Sequence, residues 1–351
     1  MALGALCYAA FQAGFLRLNE IYLYVSSATL GFGAASTYLS QNSTAETSAR
    51  NSALLWALAE GSLLGGGIFL FIIFRTSDTT NGIPDSTVNT LYGIFTAVAI
   101  LSAIVFVFLR VPSSTADKDV EVRSHVSVIG STFSLMFTKE MLLMAFVFAY
   151  TGIEQSFWTG VYPTCISFSQ QLGSNTNSML ALNSITAGIG QVAAGLLFGI
   201  LGDRTRKLGR DSIVLLGTVI HLIAFVLIYA SFPSDAPLQK TNESGGLMNP
   251  NLAIALICGG LLGFGDACWN TQIYAYLCDV HAAKSSEAFA LFKFYQSGLS
   301  CAAFYYSSVL ILPWQLVILI TTSFAAAICF FVSERLLSHS QPQNEYLSER
   351  L

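Results

Sequence analysis

The chain has 351 residues, of which 54% are hydrophobic and only 10% are charged. Soluble domains carry roughly 25% Asp, Glu, Lys and Arg, so the 16 basic and 20 acidic residues here are too few to cover a water-facing surface of this size. A mean hydropathy of +0.61 excludes intrinsic disorder, a disulfide-stapled secreted module and a basic nucleic-acid binder, and the net charge of −4 identifies no partner by itself. The composition is that of a polytopic membrane protein whose first partner is the lipid bilayer.

Ten apolar stretches follow one another with short polar breaks: Met1–Leu16, Ile21–Ser40, Asn51–Phe74, Asn89–Leu109, Met141–Phe168, Ser178–Leu201, Ile213–Phe232, Leu252–Cys278, Ala288–Leu312 and Trp314–Val332. Helices are expected throughout, because backbone in lipid must satisfy its own hydrogen bonds. A barrel would show alternating segments of ~10 residues, not solid runs of about 20. Met1–Leu16 lacks a basic start, and another apolar run follows after four residues, so it reads as a span and not as a signal peptide. The prolines fall in the breaks or at the ends, except Pro163, which lies inside a span. The seven cysteines lie in or beside apolar runs with none at metal-ligand spacing, which assigns them to helix packing. Gly61-x-x-x-Gly65 and Gly195-x-x-x-Gly199 read as small-residue seams for close helix contact.

Basic residues set the expected orientation. With Arg110–Lys139 and Gly202–Asp211 cytoplasmic, twelve Lys and Arg residues fall on that side and three, Arg17, Arg75 and Lys240, on the other. Both termini are then cytoplasmic. The sequon at Asn242 falls in the longest external loop, Pro233–Pro250, and is the glycosylation candidate; the sequon at Asn42 falls on the cytoplasmic side.

The longest cytoplasmic break separates four spans from six. The expected organisation is an incomplete amino-terminal helical bundle over 1–110, a linker over 111–138, a six-helix carboxy-terminal bundle over 139–334 and a tail over 335–351. Six plus six is the major facilitator pattern, so four plus six resembles it with the first two helices absent.

Particular strings carry a closer resemblance. Gly199-Ile-Leu-Gly-Asp203-Arg204, ending in Gly209-Arg210, resembles the G-x-x-x-D-R…G-R signature of cytoplasmic loops in the major facilitator superfamily. Lys139-Glu140-Met141-Leu142-Leu143 with Tyr150-Thr151-Gly152-Ile153-Glu154, Leu262-Gly263-Phe264-Gly265-Asp266-Ala267-Cys268-Trp269-Asn270, and Ala288-Phe289-Ala290-Leu291-Phe292-Lys293-Phe294-Tyr295-Gln296-Ser297 are similar to the seventh, tenth and eleventh helices of the Unc-93-like family. Arg50-Asn51-Ser52 with Trp56-Ala57-Leu58 matches the start of the fifth. The resemblance implies an all-α membrane protein of the major facilitator fold that works as a secondary transporter. It equally implies a non-transporting membrane partner, since the family includes channel regulators and trafficking chaperones. The family has two more helices ahead of Met1 and a W-T-x-Q-G-like string where Gly33-Ala34-Ala35-Ser36 runs into Thr37-Tyr38-Leu39-Ser40. A truncated, inactive form is therefore a further expectation.

Ionisable side chains at bilayer depth are the strongest functional pointers, since each costs at least ~2.5 kcal/mol on insertion scales. The candidates for substrate or ion coupling are Asp266, Glu154, Glu60, Asn270, Lys293 and Gln296. Asp266 and Asn270 share a helix face at i and i+4, Trp56 lies one turn below Glu60, and Gln296, Ser297 and Ser300 extend the stripe of Lys293. Gln272 is about 200° around the wheel from Asn270. Gly263 and Gly265 beside Asp266 permit either close approach of a neighbouring backbone or local unwinding. His221 has no acidic neighbour in sequence and reads as a packing histidine. Asp203, Arg204 and Arg210 are the cytoplasmic gate candidates, the arginines pairing with carboxylates across helix ends. No phosphate loop, H-E-x-x-H motif or nucleophile elbow occurs, so no enzymatic activity, cofactor, metal or nucleic-acid partner is expected.

Overall fold

Long runs of Leu, Ile, Val, Phe and Ala with no interior break leave the backbone no partner but itself, and they fold as helices. The structure is a computed structural model that describes residues 2–17, 19, 21–22, 25–26, 43–44, 47–76, 83–108, 125–201 and 208–348. In chain order the helices are α1 (Ala2–Ala13), α2 (Ser48–Thr76), α3 (Asp85–Phe108), α4 (His125–Met136), α5 (Lys139–Ser156), α6 (Tyr162–Phe168), α7 (Thr176–Ile200), α8 (Arg210–Ser231), α9 (Leu252–Val280), α10 (Ser285–Ser307) and α11 (Leu312–Ser348). Among the described residues the only β pairing is an isolated bridge between Ser169 and Thr241. The second expected span, with the string Gly33 to Ser40, lies largely outside the described residues.

Among the described residues six helices, α2, α3, α7, α8, α9 and α11 up to Leu337, are long and apolar enough to cross a membrane, and the pair Ser127–Met136 and Lys139–Phe168, bent by 82°, counts as a seventh when taken as one broken span. α10 falls short of that apolarity because it carries Glu287, Lys293 and Gln296. α3 combines a hydropathy of 2.5 with only 11% of its window buried, the reverse of a soluble core, as expected where lipid is the solvent.

Met1–Asn42 and Phe69–Arg123 form one compact unit, and Ser43–Ile68 with Ser124–Leu351 form the other. The first is built on α1 against α3, where Phe15 stacks on Tyr92 at 4.6 Å and Phe95 meets both Tyr92 and Phe69 edge-on. In the second, α9 lies between α7 and α8, while α5 packs on α10 and α11.

Pro163 explains the irregularity in the fifth expected span, Met141–Phe168. A proline lacks the N–H that an α-helix would bond and crowds the carbonyl four residues back. The chain answers with a π-turn over Phe157–Val161, in which the Tyr162 N–H reaches the Phe157 carbonyl, before α6 resumes.

Glycines set how closely the helices approach. Side chains added at Gly190 and Gly263 would run into the carbonyls of Gly260 and Ala187, so α7 and α9 touch backbone to backbone. Gly195 and Gly199 face Ala53, Ala57 and Leu54 of α2, as the seam motif predicts. Gly61 and Gly65 differ: no described atom lies within 4 Å of a side chain built there, and the α2–α7 contact runs instead through Leu64 on Gly188 and Gly67 on Ile185. α9 is continuous through Gly263 and Gly265, so these glycines serve approach and not unwinding.

Gly263→Val is expected to destabilise the protein by about 3 kcal/mol or more, since backbone cannot move aside as a side chain can. Gly61→Ala is expected to be neutral or to stabilise by about 0.5 kcal/mol through helix propensity. Thermal unfolding of the two variants in detergent checks the contrast.

Candidate functional site

The polar residues of α9 meet the rest of the second unit at one level. Asp266 is 3% exposed, and both of its oxygens are engaged: Gln191 Nε2 of α7 donates to Oδ2 at 2.8 Å and Asn270 Nδ2 donates to Oδ1 at 2.7 Å. Trp56 Nε1 of α2 donates to Gln191 Oε1 at 2.6 Å. An indole has a donor and no acceptor, so this bond fixes the Gln191 carbonyl toward Trp56 and its amide hydrogens toward Asp266. Trp56 in turn meets the Tyr274 ring edge-on at 5.5 Å.

Glu154 of α5, 1% exposed, has its carboxyl close enough to that of Asp266 for the two to interact electrostatically. Its Oε1 has no hydrogen-bond partner and faces His221 Nε2 of α8 at 3.4 Å. His221 Nε2 also stands 3.2 Å from the Leu262 carbonyl, and Nδ1 lies 2.5 Å from the Tyr150 hydroxyl. A carbonyl only accepts, so the ring carries its hydrogen on Nε2 and takes the Tyr150 O–H at Nδ1. Gly265 leaves the space that this ring fills.

Two further candidates pair with each other. Lys293 Nζ of α10 donates to Gln296 Oε1 at 2.8 Å and sits over the Phe292 ring at 4.6 Å, and Gln296 Nε2 reaches Thr151 Oγ1 at 3.4 Å. Glu60, one turn on from Trp56, lies within electrostatic reach of both Asp266 and Lys293. The structure therefore gathers Asp266, Asn270, Glu154 and Glu60 with Lys293 and Gln296 around one level of the unit. Gln272 points elsewhere, toward Thr271.

Sequence reasoning missed Gln191; it read His221 as a packing histidine, and the ring is indeed buried and hydrogen-bonded at both nitrogens, but the acid beside it was not foreseen. Gln191 carried one usable signal, a lone amide in the apolar run from Ile185 to Ile200. For His221 the partner Glu154 is 67 residues away in sequence, and only the packing of α5 against α8 and α9 brings the two together.

Arg210, at the start of α8, donates through Nη1 to Asp279 Oδ2 at 2.6 Å and through Nε and Nη2 to Glu334 at 2.8 and 3.3 Å. Its guanidinium lies 5.5 Å from the Tyr276 ring, whose hydroxyl is 2.6 Å from Ser333 Oγ. One arginine thus ties the start of α8 to the end of α9 and to α11. Asp203 and Arg204 lie outside the described residues. Beside this node, burial holds the His281 ring below the ordinary imidazole value, with Glu140 opposing and Lys284 reinforcing the shift. Asn242 is exposed, in a loop tied to the end of α6 by the Thr241 N–H on the Phe168 carbonyl.

A family model described as ion channel regulatory protein UNC-93 matches residues 1–331. The UNC93-like protein MFSD11 of Xenopus laevis is 34% identical over 359 residues, covering 95% of this chain and 80% of that protein. Protein unc-93 homolog A of Mus musculus is 24% identical over 365 residues, covering 90% and 74%. Among solved structures, the crystal structure of a major facilitator superfamily transporter, FucP, in the outward conformation matches with a TM-score of 0.60 at 13% identity, over 95% of this chain and 82% of that one. The helical architecture is that of the major facilitator fold.

His281 generates a pH dependence of known sign. Its folded-state proton affinity is below the unfolded value, so its contribution to stability is present above pH ~6.5 and is lost as pH falls toward the lower folded value. His281→Gln should therefore lose less thermal stability than wild type between pH about 7.5 and about 5.5. Melting curves of both proteins across that range measure the difference.

Proposed function

The chain belongs to the UNC-93 family, and on that premise we propose that it is a multi-pass secondary carrier of the major facilitator type, moving a small molecule or ion past the polar level around Asp266. The observation that supports this most is the chain of side chains Trp56–Gln191–Asp266–Asn270, drawn from the membrane-spanning helices α2, α7 and α9, with Trp56 half-buried and the other three buried. Such groups are expensive in hydrocarbon and mark ion or substrate pathways. Glu60 lies within electrostatic reach of both Asp266 and Lys293, and Gln296 accepts a hydrogen bond from Lys293.

In this reading the twelve-to-three distribution of basic residues puts both termini and the Arg210 node on the cytoplasmic side, and Asn242 outside. Arg210, with Asp203 and Arg204 of the preceding loop, latches the cytoplasmic rim. A second reading, a non-transporting regulator of a membrane partner, draws its support from the description of the matching family model. Uptake separates the two, because a regulator moves nothing in pure lipid.

The test is uptake of a panel of labelled small molecules by proteoliposomes of the full chain, with and without an imposed proton or sodium gradient. Asp266→Asn is expected to reduce gradient-driven uptake at least about tenfold while leaving expression intact. Normal uptake by that variant would make the carboxylate structural, and no uptake by wild type would favour the regulator. Neutralising Asp203 or Arg210 is expected to raise the reactivity of introduced cysteines from the cytoplasmic side; an unchanged pattern would leave these residues only an anchoring role.

A further inference from the structure

Two interacting carboxyl groups, each at least 97% buried, cannot both be ionised while they face each other, because like charges in a dry interior repel strongly. Among the described residues no Lys or Arg makes an ion pair with either; Lys293 acts on Asp266 only from a distance. A bound metal cation fits poorly. Both Asp266 oxygens already receive N–H donors, one of them oriented by Trp56, and the described residues include no group of three or more His, Cys, Asp or Glu placed to hold a metal. A proton fits.

The hydrogen bonds also say which residue carries it. Two donors favour the ionised form of Asp266. Glu154 has no such support, since its Oε1 is unpartnered and its nearest donor, His221 Nε2, stands at 3.4 Å, beyond a normal hydrogen bond. We propose that Glu154 and Asp266 bind one proton between them, Glu154 carrying it and Asp266 accepting its hydrogen bond, with His221 placed to receive the Glu154 carboxylate when the proton leaves. On release the Glu154 O–H bond breaks, the proton passes to water or to a bound substrate, and the new carboxylate turns from Asp266 toward His221 Nε2, whose one hydrogen, given to the Leu262 carbonyl in this structure, is then shared with the carboxylate. His221 is thus a positioning residue. The titratable or charged groups facing the pair are Tyr150 from α5, His221 from α8, Lys293 from α10 and Glu60 from α2. This deepens the carrier reading, on which it rests, by making the coupling ion a proton.

Infrared difference spectroscopy of the full chain in lipid nanodiscs reads the proton directly, because a protonated carboxyl has a C=O band that a carboxylate lacks. At neutral pH the wild type should show a buried-carboxyl band, Glu154→Gln should lose it, and Asp266→Asn should keep it at a shifted frequency. His221→Leu removes the donor waiting for the carboxylate, so the pH at which the band disappears should rise by about one unit, about tenfold in proton affinity. His221→Gln keeps a donor and should restore most of that shift. Gel filtration confirms that each variant is folded. A band that survives Glu154→Gln but vanishes in Asp266→Asn overturns the assignment, and so does a band abolished by sodium at constant pH. Wild-type proteoliposomes that transport nothing while the band behaves as expected would sink the carrier reading and leave the shared proton standing.

Discussion

A carboxyl group in hydrocarbon needs neighbours that replace its water, and Asp266 obtains all of them from other side chains. Gln191 and Asn270 supply amide hydrogens and Glu154 supplies a carboxyl partner. That requirement reaches far into the fold. α2 must present Trp56 so that Gln191 is turned the right way round, α5 must present Glu154, and α8 must present His221 behind it. Four helices are thus held in register with α9 by one buried acid.

The glycines are the other half of the same constraint. Gly190 and Gly263 let α7 and α9 meet backbone to backbone one position before Gln191 and three before Asp266, and this brings a side chain as short as Asp within reach of Gln191. Gly265 opens the notch filled by the His221 ring. Close packing in lipid and the polar network are therefore a single design: without the approach the amides would not reach, and without the amides the acid would not be tolerated there.

Much of this was legible in the chain. Apolar runs of about 20 residues located nine helical regions, and i to i+4 spacing placed Asn270 beside Asp266 and Trp56 beside Glu60. Periodicity tells which face of a helix is polar, but not which helix stands opposite. The meeting of Glu154 with Asp266, the His221 ring behind them, and the Arg210 fork onto Asp279 and Glu334 all depend on helix rotation and were hidden for that reason. The Gly61 and Gly65 seam shows the opposite error, a pattern that fits a motif on a face where no described neighbour comes close. Pro163 announced an irregularity, and the form it took, one turn of π-helix, follows from a missing N–H that a proline cannot supply.

That π-turn divides its helix into two segments with independent registers. A π-turn accommodates one residue more than an α-turn would, so everything beyond it is rotated by about 100° from the direction α5 alone would set. Glu154 keeps the rotation that Asp266 and His221 demand, while beyond the turn Tyr162 is free to sit where its hydroxyl can reach the Ala255 carbonyl. Evolution can therefore retune the segment beyond the turn by gaining or losing a single residue between Phe157 and Val161, leaving the buried acid undisturbed.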